Sequence, residues 1–269
     1  MNGRLYTEMM FAFYRSAKLL KWLFAGSLGL GVCFVFAAPV AALEPGSERH
    51  YSKANPVKIA MFEYPPTVVV KGGILSGLYV EQTRAILEES GLPYDIKLTP
   101  LGRMYRDFYS DAPKMDGWVS IPVSGALDIG APVMPSAYSS ITLSLYGKPG
   151  SVPPKLSVLN NSVLIVIHSY RYAGLLEKLQ TTDGIQLITT PNHLVAFKLL
   201  MAGRAPYVLD YDGPAAFALR ELGLESLPFT RVDSWVTQLF VSNKIPGSAK
   251  LLNRLSKAAE RVLARRSSR

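Results

Sequence analysis

Between residues 57 and 263 the apolar positions follow two alternating rhythms. Short unbroken runs of β-branched and apolar residues mark buried strands, and segments with apolar residues every three or four positions mark amphipathic helices. VKIAMF at Val57–Phe62 is a run of the first kind. Glu63–Gly73 follows, with two prolines and two glycines that predict a loop without regular structure. From Gly77 to Gly91 the pattern is helical. Tyr79, Thr83, Ile86 and Leu87 share a face, Arg84 and Glu88 form an i, i+4 pair, and Gly91 stands at the C-terminal cap. A strand resumes at Tyr94–Leu98. Strand, helix and strand make a βαβ unit, whose ligands sit beyond the carboxyl ends of the strands. The loop carrying Tyr64 is therefore the first candidate for a binding site.

Further along, residues 99–112 predict a loop and a helix with Arg103 near its start. Gly117–Ile121 is a third strand, entered by Asp116, with Trp118 and Ser120 on one face. Residues 124–135 lack periodicity and read as loop. Ile141–Tyr146 is another strand, and GKPGSVPP, with three prolines and two glycines, is the clearest break in the chain. The rhythm then starts again. A strand at Val163–Ile167 leads through a polar, aromatic turn into a helix with Tyr172, Leu175, Leu176 and Leu179 on its face. A strand at Ile185–Ile188, a helix at His193–Met201 capped by Asn192, and a strand at Tyr207–Leu209 follow. DYDGP then opens a helix through Ala215, Leu219 and Leu222, closed by Gly223. Val236–Val241 is the last strand and a basic amphipathic helix ends the chain. Each half runs β-α-β-α-β, which predicts an α/β fold.

Composition changes this picture at the N-terminus. Lys18 and Lys21 precede an uncharged run, Trp22–Leu43, that ends in AAPVAAL. A basic segment, an apolar core and a small-residue site predict a signal peptide over residues 1–42, cleaved after Ala42. The run is also long enough to span a bilayer, so an uncleaved anchor is the competing reading. Met9 and Met10 offer alternative starts. The single cysteine, Cys33, lies in this run, so an exported form would have neither a disulfide framework nor thiolate chemistry. His50, His168 and His193 have no metal-ligand spacing and read as surface or packing residues, and no metal or cofactor is expected. The formal net charge is +9, with much of the excess on the last helix. There Leu251, Leu255, Ala259 and Val262 supply an apolar face, so the charges read as the solvated side of a packed helix and no nucleic-acid partner is expected. There is no Gly-rich phosphate loop, GxSxG, HExxH or DxDxDG, which argues against an enzyme.

Several short motifs occur in a telling order. They are Tyr64-Pro65-Pro66 after the first strand, Gly77-Leu78-x-x-Glu81 at the first helix, Pro100-x-x-Arg103, and Asp116 before the third strand. Ser169-Tyr170-Arg171-Tyr172 and Asp212-Gly213-Pro214 follow strands of the second half. Together, over residues 57–263, they resemble the extracellular solute-binding proteins of ABC importers, in particular the polar amino-acid binders. The resemblance implies the type II periplasmic-binding-protein fold, two Rossmann-like α/β lobes joined by two crossover segments and closing on a solute. It implies a first lobe of residues 57–142 and 236–269, a second of 150–228, and crossovers at 143–149 and 229–235, after a flexible segment at 43–56. The implied function is that of a monomeric periplasmic protein. It would capture a small polar or charged solute, amino-acid-like or another organic anion, for the permease of an ABC transporter. A solute-sensing subunit for a membrane receptor and a dehydratase-like enzyme on the same fold are the other readings.

The candidate ligand-binding residues follow from position. Tyr64 could stack on a ligand or cap the core of its lobe. Arg103 could clamp an anion or pair with Asp107 on its own helix. Trp118 would by default pack the core, with Ser120 beside it. Tyr170 and Arg171 occupy a strand-to-helix turn, where backbone N–H groups attract anions. The resemblance assigns Asp212 as a cation-binding carboxylate, although it could equally cap a helix with Pro214 in the first turn, and Asp210 is the alternative carboxylate. One departure stands out. Amino-acid binders of this family carry Thr-x-x-Arg after the third strand to hold the α-carboxylate, and here that place is Pro122-Val123-Ser124-Gly125-Ala126, with no arginine. This argues against an amino acid held in the usual way.

Overall fold

The computed structural model describes residues 49–121 and 130–267. The leader expected over 1–42 and the 122–126 segment lie outside the described residues. The first strand, β1 (Val57–Met61), is buried almost throughout, as its apolar run requires. The stretch expected to be irregular contains a hairpin, β2 (Val69–Lys71) and β3 (Ile74–Ser76). Its tight turn is Gly72–Gly73, with φ of 56° and 80°, left-handed values that glycine adopts without steric cost. The glycines that read as breakers are what make the hairpin possible.

Helix α1 (Leu78–Ser90) buries Tyr79, Thr83, Ile86 and Leu87 as expected, and ends at Gly91 in the left-handed cap conformation. Glu88 accepts from the Tyr94 hydroxyl at 3.1 Å. The first lobe continues with β4 (Tyr94–Leu98), α2 (Leu101–Phe108) and β5 (Gly117–Ser120). Asp116, immediately before β5, is fully buried. It accepts from the Lys58 N–H at 2.7 Å and the Tyr51 hydroxyl at 3.2 Å, and pairs with Arg49 at 2.9 Å. A buried carboxylate must be paired and hydrogen-bonded, so residues 49–56, expected to be flexible, are held against the lobe by it.

The longest strands depart most from the sequence pattern. β6 spans Gly130–Gly147 and β10 spans Phe229–Ser242, where short strands at 141–146 and 236–241 were expected. Between them lie β7 (Ser162–Ile167), α3 (Leu175–Gln180), β8 (Ile185–Thr190), α4 (His193–Met201), β9 (Tyr207–Tyr211) and α5 (Asp212–Glu221). The strands form one eight-stranded sheet in the order β4-β1-β5-β10-β6-β9-β7-β8. The outer trios β4-β1-β5 and β9-β7-β8 are each parallel. β10 and β6 run antiparallel to each other between them. Gln238–Val241 of β10 pairs with β5, whereas Leu143–Gly147 of β6 pairs with β9. Both strands therefore pass from one lobe into the other, with register shifts at Arg231/Asp233, Val236/Gln238 and Gln238/Phe240 on the way. Their extra length comes from pairing with each other, which overrides a weak local pattern.

Tyr172, expected on a helix face, precedes α3 in a short 3₁₀ turn and remains buried, its hydroxyl accepting from the Ile167 N–H at 2.7 Å. α4 has the expected cap, with Asn192 Oδ1 accepting from the Val195 N–H at 3.0 Å. In the last helix, α6 (Ser248–Ser267), Leu251, Leu255, Ala258 and Ala259 are buried. Part of its basic face is engaged, because Arg254 donates to the Ser90 carbonyl and Arg261 and Arg265 pair with Glu89 of α1. Among the described residues no helix is long and apolar enough to cross a membrane.

Candidate functional site

The carboxyl ends of β1 and β5 in one lobe face those of β7 and β9 in the other. Between them is an inner cavity of about 60 Å³. Tyr64, Tyr79, Tyr105 and Trp118 line it from the first lobe, and Tyr170, Tyr172 and Tyr211 from the second. Thr237 of β10 and Ile141 of β6 complete the wall. Rings meet across the cleft: Tyr64 and Tyr211 are 6.0 Å apart between centroids, and Phe62 and Tyr170 are 6.1 Å apart.

The turn after β7 is held in an unusual shape. Ser169, Tyr172 and Ala173 have φ of 66°, 49° and 57°, a region that costs a residue with a Cβ. Such conformations persist where the surroundings over-determine them, often at binding sites. Here the Tyr172 hydroxyl fixes the strand end, and Arg171 is anchored by two 2.8 Å contacts to Glu177 Oε1.

Two residues that line the cavity, Tyr64 and Trp118, bury a polar atom, Oη and Nε1, that has no hydrogen-bond partner among the described residues. Leaving such a group unsatisfied costs about 1–3 kcal/mol. Tyr79, by contrast, receives a bond from Thr237 at 2.9 Å and meets Ser139 Oγ. Burial raises the pKa of Tyr64, Tyr170, Tyr172 and Tyr211 above the usual phenol value, and the nearby Asp210 charge adds to it. These side chains are thus neutral hydrogen-bond donors at physiological pH.

Behind the cavity runs a buried chain. The Tyr170 hydroxyl is hydrogen-bonded to His193 Nε2 at 3.2 Å, and His193 Nδ1 meets Asp210 at 2.8 Å. Asp210 also accepts from the Tyr211 N–H at 2.8 Å. The chain fixes the Tyr170 ring and the end of β9 together. A wider outer cavity of about 810 Å³ forms the mouth of the cleft, with Arg103 and Glu63 on one side and His168 and His193 on the other.

Of the residues expected from sequence, Tyr64, Trp118, Ser120, Tyr170 and Arg171 come together around the inner cavity. Arg103 is exposed and lines the mouth instead, while Asp107 pairs with Arg106 at 3.2 Å. Asp210 is fully buried behind the wall. Asp212 is exposed and lines neither cavity. Its Oδ1 accepts from the N–H groups of Gly213 at 2.9 Å and Thr142 at 3.2 Å. The N-cap position of α5 belongs to Tyr211, not to Asp212. Sequence reasoning missed Tyr79, Tyr105, Tyr211 and His193. The one available signal was the position of Tyr211 at the carboxyl end of β9, where an α/β sheet holds its ligand. The wall offers aromatic faces and hydrogen-bond donors. Among the described residues no group of three or more His, Cys, Asp or Glu side chains could hold a metal ion.

No protein-family model matches the chain, and neither does any curated protein sequence. Solved structures do. One is a histidine kinase sensor domain with similarity to periplasmic binding proteins, at TM-score 0.63 and 21% identity, covering 79% of this chain and 91% of that one. Another is holo ArgBP from T. maritima, at TM-score 0.61 and 16% identity, covering 77% and 89%. The arginine-, lysine-, histidine-binding protein ArtJ from Geobacillus stearothermophilus is similar at TM-score 0.58 and 16% identity, covering 78% and 90%. At these identities the likeness is one of fold. The chain has the α/β fold of type II periplasmic binding proteins, two lobes joined by two crossing strands.

Proposed function

We propose that this protein is a periplasmic solute-binding protein that captures a small polar or charged solute between its lobes for an ABC importer. The observation that carries this reading is an interlobe cavity lined by aromatic side chains of both lobes, two of which, Tyr64 and Trp118, bury a polar atom without a partner among the described residues. Buried polar groups find partners, and a solute entering the cleft supplies them. The fold adds support, since its solved relatives include arginine-binding proteins. The leader over 1–42 exports the chain, and a monomer delivers its solute to the permease. Residues 143–149 and 229–235 act as the hinge, within or beside the two strands that connect the lobes. No catalytic turnover is needed for this role.

A second reading keeps the same binding event and changes only the partner. The likeness to a histidine kinase sensor domain favours a subunit that reports the solute to a membrane receptor. Native mass spectrometry of the purified protein, with identification of any co-purified small molecule, tests the common premise. Small-angle scattering with and without that molecule should show compaction on binding. A confirmed ligand that stabilises the protein with no change in shape would overturn the closing-lobe model.

A further inference from the structure

We infer that Gly102 is the seat on which the two lobes close, its missing side chain setting how near they can come. This rests on the closing-lobe part of the solute-binding reading.

Gly102 is the second residue of α2, in the first lobe, and it faces the turn that follows β7 in the second. A Cβ on Gly102 would stand 2.9 Å from Ser169 Oγ and 3.7 Å from Ser169 Cβ. The shorter distance lies inside van der Waals contact, so a side chain here would have to displace Ser169 or the turn. Gly102 sits in ordinary helix, where glycine is a poor choice. What it offers is room for the other lobe.

Both sides of the contact are held. Ser169 has a left-handed φ of 66°. Beside it, the His168 N–H donates to the Thr190 carbonyl at 2.8 Å and the Tyr170 N–H to the Ile167 carbonyl at 3.2 Å. Gly102 and Tyr105 share one face of α2 at the i, i+3 spacing, and the Tyr105 ring centre lies 5.6 Å from the Arg171 guanidinium. That face runs along the turn, with Gly102 at Ser169 and Tyr105 at Arg171. Phe62 and Tyr170, with ring centroids 6.1 Å apart, meet across the same gap.

The second lobe makes the mirrored contact. Gly213 is the second residue of α5. A Cβ there would stand 3.6 Å from Pro66 Cδ and 3.8 Å from the Pro65 carbonyl oxygen, in the loop after β1. Those are ordinary contact distances. Gly102 is the tighter of the two, so it limits the approach.

The test uses the full chain with Cys33→Ser, which removes its one cysteine. Gly102→Cys combined with Ser169→Cys would place the two Cβ atoms 3.7 Å apart, inside the about 3.5–4.5 Å that a disulfide spans. Oxidised glutathione should close this pair, read as loss of both free thiols. Small-angle scattering should show the oxidised form at least as compact as the reduced one. Arg103→Cys combined with Ser169→Cys is turned about 100° round the helix and should close about tenfold or more slowly. Gly102→Val puts two methyl groups on a nearly fixed χ1. It should hold or raise the melting temperature, since valine is the better helix residue, and should stay more open than the oxidised pair. Adding Ser169→Gly clears the opposing side chain and suits the φ of 66°, so it should restore wild-type scattering. Two thiols that react with a thiol reagent in the folded protein but never join would overturn the seat. So would an Arg103 pair that joins as fast, or a Gly102→Val variant as compact as the crosslinked one. None of these results touches solute binding, which mass spectrometry of the wild type tests on its own.

Discussion

The guanidinium of Arg171, in the second lobe, lies 5.6 Å from the centre of the Tyr105 ring, in the first. Glu177 holds the Arg171 side chain from its own lobe at 2.8 Å. The contact bridges the two lobes. A half-exposed cation–π contact is worth about 0.5–1 kcal/mol.

Arg171→Ala should therefore weaken closure rather than folding. The expected loss of ligand affinity is about two- to fivefold, since every 1.4 kcal/mol is about tenfold. The melting temperature without ligand should change little. Titration calorimetry beside a thermal melt separates the two effects, and an unchanged affinity would remove the latch.

The buried tyrosines of the cleft predict a particular alkaline transition. Burial raises the pKa of Tyr64, Tyr170 and Tyr172 well above the ordinary phenol value. A raised pKa means that folding favours the protonated form. Its stabilising contribution is whole below the unfolded pKa of about 10 and is lost as pH rises toward the folded values. In a titration followed at 295 nm, exposed tyrosines should ionise first. The cleft tyrosines should ionise only together with loss of the far-ultraviolet dichroism. Ionisation of every tyrosine near pH 10, with the fold intact, would contradict the buried cleft.

What could be read from the sequence depended on how local its cause is. β1, α1 and β4 were legible because their apolar spacing and the cap at Gly91 lie within a few residues of each other. The full lengths of β6 and β10 were not, since each is strand only because the other lies alongside it. The hairpin at Gly72–Gly73 was hidden by the ambiguity of glycine, which breaks an element or turns one. In the site, Tyr64, Tyr170 and Arg171 could be chosen because they follow strand ends. Tyr79 and Tyr105 could not, because on an amphipathic helix a tyrosine that faces a cleft looks the same as one that faces a core. His193 looked like packing until the fold brought it to Asp210.

The pair of His193 and Asp210 should be structural first. Both are buried, and the contact is 2.8 Å. Removing one member leaves a buried polar atom of the other unsatisfied, at a cost of about 1–3 kcal/mol. Asp210→Ala should lower stability by about that amount in a denaturant melt. Asp210→Asn retains an acceptor for the Tyr211 N–H and should lose less. Equal stability of wild type and Asp210→Ala would mean that the chain behind the cavity carries no load.

Asp212 poses the sharpest question about the ligand. In a protein that grips an ammonium group here, the charge of Asp212 is what matters. In this structure its Oδ1 receives N–H groups from Gly213, in the first turn of α5, and from Thr142, in β6. Thr142 is also within 3.2 Å of Ser234 on β10, so the carboxylate ties α5 to the paired strands between the lobes. What that role requires is an acceptor, not a charge. Asp212→Asn keeps the acceptor and should leave both melting temperature and ligand affinity close to wild type. Asp212→Ala removes it and should cost about 0.5–2 kcal/mol of stability, as loss of a comparable side-chain acceptor at a helix start does. Once the ligand is identified, calorimetry and thermal melts on the two variants distinguish the roles. A loss of affinity of about tenfold in Asp212→Asn, with stability unchanged, would mean that a charge-assisted bond to the ligand has been broken. The carboxylate would then reach the solute after all.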